Sequence, residues 1–198
     1  MSADPLLPLV LASASPRRRD LLARAGLRFE VRPSGVDESA LPGEAPRALA
    51  ERLAREKALD VARALGPQPA HLVLGADTIV VLEGEVLGKP RDPEHAVTLL
   101  RRLLGRSHRV ITGVALVESA ELRVRALSVE SRVTMRAAEE PEVRAYVATG
   151  EPLDKAGAYA AQGEGRRFVL GIEGSESNVI GLPLEETLAL LAAARGPA

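Results

Sequence analysis

Between His71 and Leu82 the chain reads His-Leu-Val-Leu-Gly-Ala-Asp-Thr-Ile-Val-Val-Leu, an aliphatic run with a single carboxylate, Asp77, at its centre. Such a run predicts a strand inside a buried sheet, interrupted at Gly75-Ala76-Asp77, where small residues mark a close backbone approach. A carboxylate in that setting needs a cation or a metal to compensate its burial. The fold must therefore bring a positive group to the middle of its own sheet.

The surrounding pattern predicts how. Leu6 to Ala12 reads as a strand that runs into Ser13, Ser15 and Pro16, and Ser15 is placed to cap a helix with Leu21, Leu22 and Ala25 on its buried side and Gly26 as its stop. Leu27 to Val31 reads as a short strand, Pro33 to Pro46 as a polar loop, and Ala45 to Leu65 as a helix ended by Gly66-Pro67. Glu83-Gly84 turns the chain into Val86-Leu87, and a helix from Asp92-Pro93 to Gly105 follows, with Val97, Leu100 and Leu104 on one side. Val110 to Val117 and Leu122 to Met135 read as long antiparallel strands, the second alternating through Val129, Ser131, Val133 and Met135. A helix at Pro141 to Ala148, strands at Phe168 to Ile172 and Asn178 to Leu182, and a helix at Pro183 to Ala194 burying Leu184, Thr187, Leu188 and Leu191 complete the pattern. Long strands in succession without an intervening helix favour a mixed α/β sheet flanked by helices over a purely parallel one. At 198 residues the expectation is one domain spanning 1–198, with two lobes sharing a cleft.

Composition removes several functions. A formal net charge of -1 lacks the basic excess of a nucleic-acid binder. With no cysteine there is no disulfide, thiolate nucleophile or zinc–thiolate site, and the three histidines are too scattered for a zinc cluster. Met1 to Pro8 lacks the features of a signal peptide and no apolar run is long enough to cross a bilayer, so no membrane association and a cytoplasmic location are expected. With only Phe29, Tyr146, Tyr159 and Phe168 available for stacking, a nucleobase would be read mainly by hydrogen bonds.

Four segments carry chemistry. Ser13-Ala14-Ser15-Pro16-Arg17-Arg18 places unpaired backbone N–H groups, two hydroxyls and two arginines at a helix start, a receptor suited to phosphate; alone, it also fits a solvated helix cap. Lys57 falls in the stripe Leu49, Leu53, Lys57, Val61, Leu65, so it reaches either a carboxylate or phosphate in a cleft or a structural ion partner. Arg52, Arg55 and Glu56 are assigned to solvated faces, with Glu56 as a fallback partner in catalysis. Asp77 suits either a magnesium ligand or a base for an attacking water, Lys89 between Gly88 and Pro90 is a second cation for a phosphate chain or simply part of a turn, and Asp37-Glu38 adds loop carboxylates useful for a metal and equally typical of a solvated loop. Asp154 to Gly163 (DKAGAYAAQG) has too few large residues to build core, carries the Asp154–Lys155 pair, and offers in Gln162 an amide able to read a pyrimidine edge. Ser175 would meet phosphate only if its loop faces the cleft.

These segments together, LASASPRR, REKA, LGADTIV, GKPRD, DKAGAY and VIGLP, resemble the Maf-like nucleoside triphosphate pyrophosphatases over essentially the whole chain. The resemblance implies a fold similar to the inosine-triphosphate pyrophosphatases, elongated and mixed α/β with a central cleft, and a homodimer. It implies hydrolysis between the α and β phosphates of a nucleoside triphosphate, releasing the monophosphate and pyrophosphate with a divalent metal, Mg2+ or Mn2+. Asp77 matches the proton acceptor, Arg17, Thr78 and Gln162 match positions associated with base selection, and Lys57, Lys89 and Glu38 match polar cleft residues. Asp77 and Glu38 are thereby the metal candidates, and Ser13, Ser15, Arg17, Arg18, Thr78, Asp154, Lys155 and Gln162 the substrate-binding ones. Thr78 with Gln162 and the DKAGAY form resembles the branch acting on dTTP and UTP, with modified UTP or CTP as further candidates. Competing readings are a 7-methyl-GTP or purine-preferring pyrophosphatase, and a nucleotide-binding regulator of cell division without turnover.

Overall fold

The computed structural model describes residues 7–195, so Leu6 of the first expected strand lies outside the described residues. In chain order the regular elements are β1 (Leu9–Leu11), α1 (Pro16–Arg24), β2 (Phe29–Val31), α2 (Pro46–Leu65), β3 (Leu72–Leu82), β4 (Glu85–Leu87), α3 (Pro93–Leu103), β5 (Ser107–Glu118), β6 (Arg123–Met135), α4 (Glu140–Ala148), β7 (Val169–Glu173), α5 (Glu176–Ile180) and α6 (Leu184–Arg195). Three short 3₁₀ turns lie between α4 and β7. The sheet is seven-stranded, in the order β2-β1-β3-β5-β6-β7, with β4 paired to β3. It is mixed: β1 runs parallel to β2 and β3, while β4 and β7 pair antiparallel with β3 and β6.

The chain divides into two compact units. One comprises the chain up to Asp77, Gly113–Ser128 and the stretch from Gly181; the other comprises Thr78–Thr112 and Val129–Ile180.

In the first unit α2 lies directly on the sheet, and two glycines explain how. A methyl group on Gly75 of β3 would sit 2.3 Å from the Ala54 carbonyl oxygen, and one on Gly113 of β5 would sit 2.2 Å from that of Ala50. Only hydrogen at these positions admits the helix backbone. Val10, Ala12, Ala54, Ala58, Val61, Ala62, Val73, Ala115 and Val117 form the core around this contact. In the second unit α3, α4 and the segment after it bury Leu100, Leu103, Tyr146, Tyr159 and Phe168 together. Tyr146 and Phe168 meet edge to face at 5.3 Å, a favourable aromatic geometry.

Four expectations are corrected. β3 is continuous from Leu72 to Leu82: the small residues at 75 and 76 admit a helix without breaking the strand. Asn178 to Leu182 is no strand, because Ser175 Oγ accepts from Asn178 N at 3.2 Å and starts the short helix α5. Ala158, Tyr159, Ala160 and Ala161 are buried, so the DKAGAYAAQG segment does build core. On α6 Thr187 and Leu191 are buried, but Leu188 is exposed.

Candidate active site

In the first unit the strand-to-helix turn after β1 is organised as its serines suggest. Ser15 has extended backbone and its hydroxyl accepts from Arg18 N, capping α1, with Pro16 in the first turn. Ser13 Oγ accepts from Ser15 N at 3.3 Å and from Arg18 Nη1 at 3.0 Å, and Arg18 Nε donates to Gly181 O at 2.8 Å. Arg18 thus holds the turn against the chain with two of its donors instead of offering that edge as a fork. Burial lowers its pKa, opposed by the nearby Asp77 and Glu38 carboxylates, while Arg17 adds to the lowering. Arg17 itself is half-buried.

Lys57 reaches two carboxylates. Its Nζ donates to Asp77 Oδ1 at 2.6 Å and to Glu38 Oε1 at 2.5 Å. The sequence makes this contact local to the Gly75 crossing. Ala54 and Ala58 face Gly75, Lys57 lies beside Ala58, and Asp77 follows Gly75 by two residues on the same strand face. Leu49, Leu53 and Val61 flank Lys57 along the buried stripe as the four-residue spacing predicts.

Glu38 comes from the long loop between β2 and α2, and the loop is pinned. Arg52 donates to both carboxylate oxygens of Glu44 (2.7 and 2.8 Å), to Glu56 (2.9 Å) and to Ser39 O (3.0 Å). Its hydrogen bond holds the Glu44 carboxyl down at about 2. Arg52 and Glu56 are therefore loop anchors, not merely members of a solvated face. Asp37 accepts from Ser39 N and Oγ, which commits it to the turn. The sequence signal for this anchoring was the length of the Pro33–Pro46 loop, which needs fixed points if Glu38 is to stay beside Lys57.

In the second unit Thr78 is half-buried and shares a 3.0 Å hydrogen bond with Thr112 Oγ1. Lys89 is exposed on the turn after β4, and Gly157 N donates to Gly88 O at 3.1 Å, which seats the Asp154–Gly163 segment beside that turn. Lys155 Nζ donates to Asp154 Oδ1 at 2.6 Å and to Glu151 O at 2.5 Å. Tyr159 packs instead of stacking: it is buried and shares a 2.7 Å hydrogen bond with His108 Nε2. Gln162 is exposed on a stretch clamped at both ends. Ala160 N donates to the Tyr146 hydroxyl (3.1 Å), and Glu164 N and Gly165 N donate to Glu151 (3.1 and 3.0 Å), which also accepts from Tyr146 (2.8 Å). Burial raises the Glu151 pKa, but these bonds outweigh it and the net shift is downward. Sequence reasoning assigned Glu151 no role and Tyr146 only a place among the rings available for stacking, since each acts here through partners elsewhere along the chain. Ser175 caps α5.

The Maf-like protein family model matches residues 8–194. The chain belongs to the Maf family. Among Maf relatives, a protein of Myxococcus xanthus (strain DK1622) named dTTP/UTP pyrophosphatase is 56% identical over 191 residues, covering 96% of this chain and 94% of that one. One of Anaeromyxobacter dehalogenans (strain 2CP-C) with the same name is 53% identical over 195 residues, covering 96% and 95%. A solved nucleoside-triphosphatase / dITP/XTP pyrophosphatase from Mycobacterium abscessus aligns over 97% of this chain and 100% of its own, with 14% identity and a TM-score of 0.45.

Proposed function

We propose that this Maf protein hydrolyses the α–β phosphoanhydride of dTTP and UTP to the nucleoside monophosphate and pyrophosphate, using a divalent cation and working as a cytoplasmic homodimer. The observation that carries this is the Lys57 bridge between Asp77 and Glu38, in a chain 56% identical to a dTTP/UTP pyrophosphatase. No helix of the described residues is long and apolar enough to cross a membrane.

The donor set fits Mg2+ or Mn2+. Asp77 and Glu38 direct carboxylate oxygens to one place, and hard cations take oxygen ligands and share their shell with water and phosphate. Among the described residues no group of three or more His, Cys, Asp and Glu is arranged to hold a metal, so the chemistry suits a cation held jointly with substrate rather than an all-protein cage. Asp77 and Glu38 would hold it. When bound, the cation would neutralise charge on the triphosphate.

In the proposed reaction Asp77 accepts a proton from water, the water oxygen bonds to the α phosphorus, and the bond from that phosphorus to the bridging oxygen breaks. The electron pair leaves with pyrophosphate. Lys57 keeps the Asp77 carboxylate oriented, and Lys57 and Lys89 would oppose the charge that grows on the leaving group. Ser13, Ser15 and Arg17 at the start of α1 would receive phosphate oxygens, with Arg18 bracing Ser13. Asp154 and Lys155 would shape the substrate side of the turn near Lys89, while Thr78 and Gln162 would read the base.

The test is product analysis with dTTP, UTP, CTP, ITP and 7-methyl-GTP, with and without Mg2+ or Mn2+. Metal-dependent turnover highest for dTTP and UTP is expected. Preference for ITP or 7-methyl-GTP would move the chain to another specificity, and tight nucleotide binding with no product would make it a binding protein.

A further inference from the structure

The second unit contains a buried polar chain that none of the proposed chemistry uses. Thr112 and Asn178 are fully buried and Ser131 is nearly so. Thr112 Oγ1 donates to Asn178 O at 3.0 Å. The carbonyl can only accept, so the single hydroxyl proton of Thr112 is committed there. In the 3.0 Å bond between Thr112 Oγ1 and Thr78 Oγ1, Thr112 is then the acceptor, and the proton belongs to Thr78.

That carbonyl is a main-chain group, and the Asn178 side chain fixes the chain that carries it. Its Nδ2 donates to Val110 O at 3.1 Å and to Ser131 Oγ at 2.9 Å, while Ser131 Oγ donates onward to Ser175 O at 3.0 Å. Val110 O accepts only, and the Ser131 proton is already placed, so the amide has one orientation. That orientation leaves Asn178 Oδ1 buried with no hydrogen-bond partner among the described residues. Such a group is costly and persists where the surrounding network fixes a geometry.

We propose that Thr112 and Asn178 are positioning residues that set the polarity of the Thr78 hydroxyl, so that Thr78 meets the nucleobase as an acceptor only. The inference rests on the proposal that Thr78 contacts the base. On a uracil or thymine ring the Watson–Crick edge offers one donor, N3–H; in cytosine N3 is a lone pair. An acceptor-only hydroxyl at N3 admits the first and repels the second, and sites built on such a hydrogen bond discriminate strongly.

The test is kcat/KM for UTP and CTP in the wild type, Thr112→Val, Thr112→Ser and Thr78→Val. Thr112→Val removes the acceptor and releases the Thr78 rotor, so the UTP-to-CTP ratio should fall about tenfold, chiefly through KM. Thr112→Ser keeps the hydroxyl and should keep the ratio. If Thr112→Val does not fold, Thr112→Cys, a weak hydrogen-bonding residue, takes its place with the same expected fall. Equal loss on both substrates would mean a structural role and overturn the proposal, as would a wild type that does not discriminate. A ratio that collapses in Thr78→Val but not in Thr112→Val defeats the proposal and leaves the Thr78 contact standing. An unchanged ratio in Thr78→Val takes the base away from Thr78 and removes both.

Discussion

Replacing Lys57 with methionine keeps the length and the apolar stem but removes the ammonium that two carboxylates share. The side chains of Lys57 and Asp77 are 8% and 10% exposed, so their bond is made in a largely desolvated place. Glu38 is 49% exposed, so its share is screened. Breaking a buried pair by removing one partner destabilises by about 3 to 5 kcal/mol, because the other charge stays behind. The partial access of water through Glu38 places Lys57→Met at the lower end, about 3 kcal/mol. Urea unfolding of the wild type, Lys57→Met, Asp77→Asn and the double variant measures this directly. The double variant no longer carries a stranded Asp77 charge, so the cycle should show a coupling of about 2 kcal/mol. A loss below about 1 kcal/mol in Lys57→Met, additive with Asp77→Asn, would mean the pair behaves as an exposed one and would refute the claim that Asp77 depends on Lys57.

Gly75→Ala places a methyl 2.3 Å from the Ala54 carbonyl oxygen and should cost about 3 kcal/mol by lifting α2 from β3, with activity falling in the surviving folded protein; a thermal melt at the wild-type temperature would contradict it. Burial lowers the His108 pKa to about 4 from 6.5. Between those values the unfolded chain binds the proton that the folded chain refuses, so stability is full above about 6.5 and is lost as pH falls toward about 4, on the order of 3 kcal/mol. His108→Gln should flatten that part of the stability profile, and an unchanged slope would assign it to other groups. Of the 26 Lys and Arg residues only Lys57, Lys89 and Lys155 are lysine, and the wide guanidinium does not replace a point charge held between two carboxylates. Lys57→Arg should therefore reduce kcat/KM by at least about tenfold; activity near wild type would show that charge alone suffices. Gln162→Ala should alter the preference among bases and leave the metal dependence unchanged, measured by kcat/KM across the nucleotide panel.

Much of the candidate site's layout was legible because it is written in local periodicity. Ser15 before Pro16 announced the cap of α1, and the four-residue spacing from Leu49 to Val61 placed Lys57 among buried residues where an ammonium needs a partner. Asp77 inside an aliphatic run posed the matching demand. What the sequence could not supply was the pairing itself, since Gly75 admitting Ala54 and Ala58 is a contact between β3 and α2 that no window along the chain contains. The same glycine misled the strand assignment, because a residue that opens space for a helix looks locally like a break. Asn178 was misread for a related reason: Val-Ile-Gly-Leu is strand-like in composition, and the five-residue helix depends on a serine cap and on hydrogen bonds to β5 and β6. In Asp154–Gly163 the alanines looked too small for a core, yet Tyr159 carries the packing and the small residues let it seat.

Phosphorus NMR of UTP turnover in the presence of Mg2+, run beside Asp77→Asn, bears on the proposed chemistry most directly. The wild type should yield UMP and pyrophosphate in equal amounts, and Asp77→Asn, folded, should yield almost none. UDP with orthophosphate, or wild-type turnover by Asp77→Asn, would contradict attack at the α phosphorus assisted by that carboxylate.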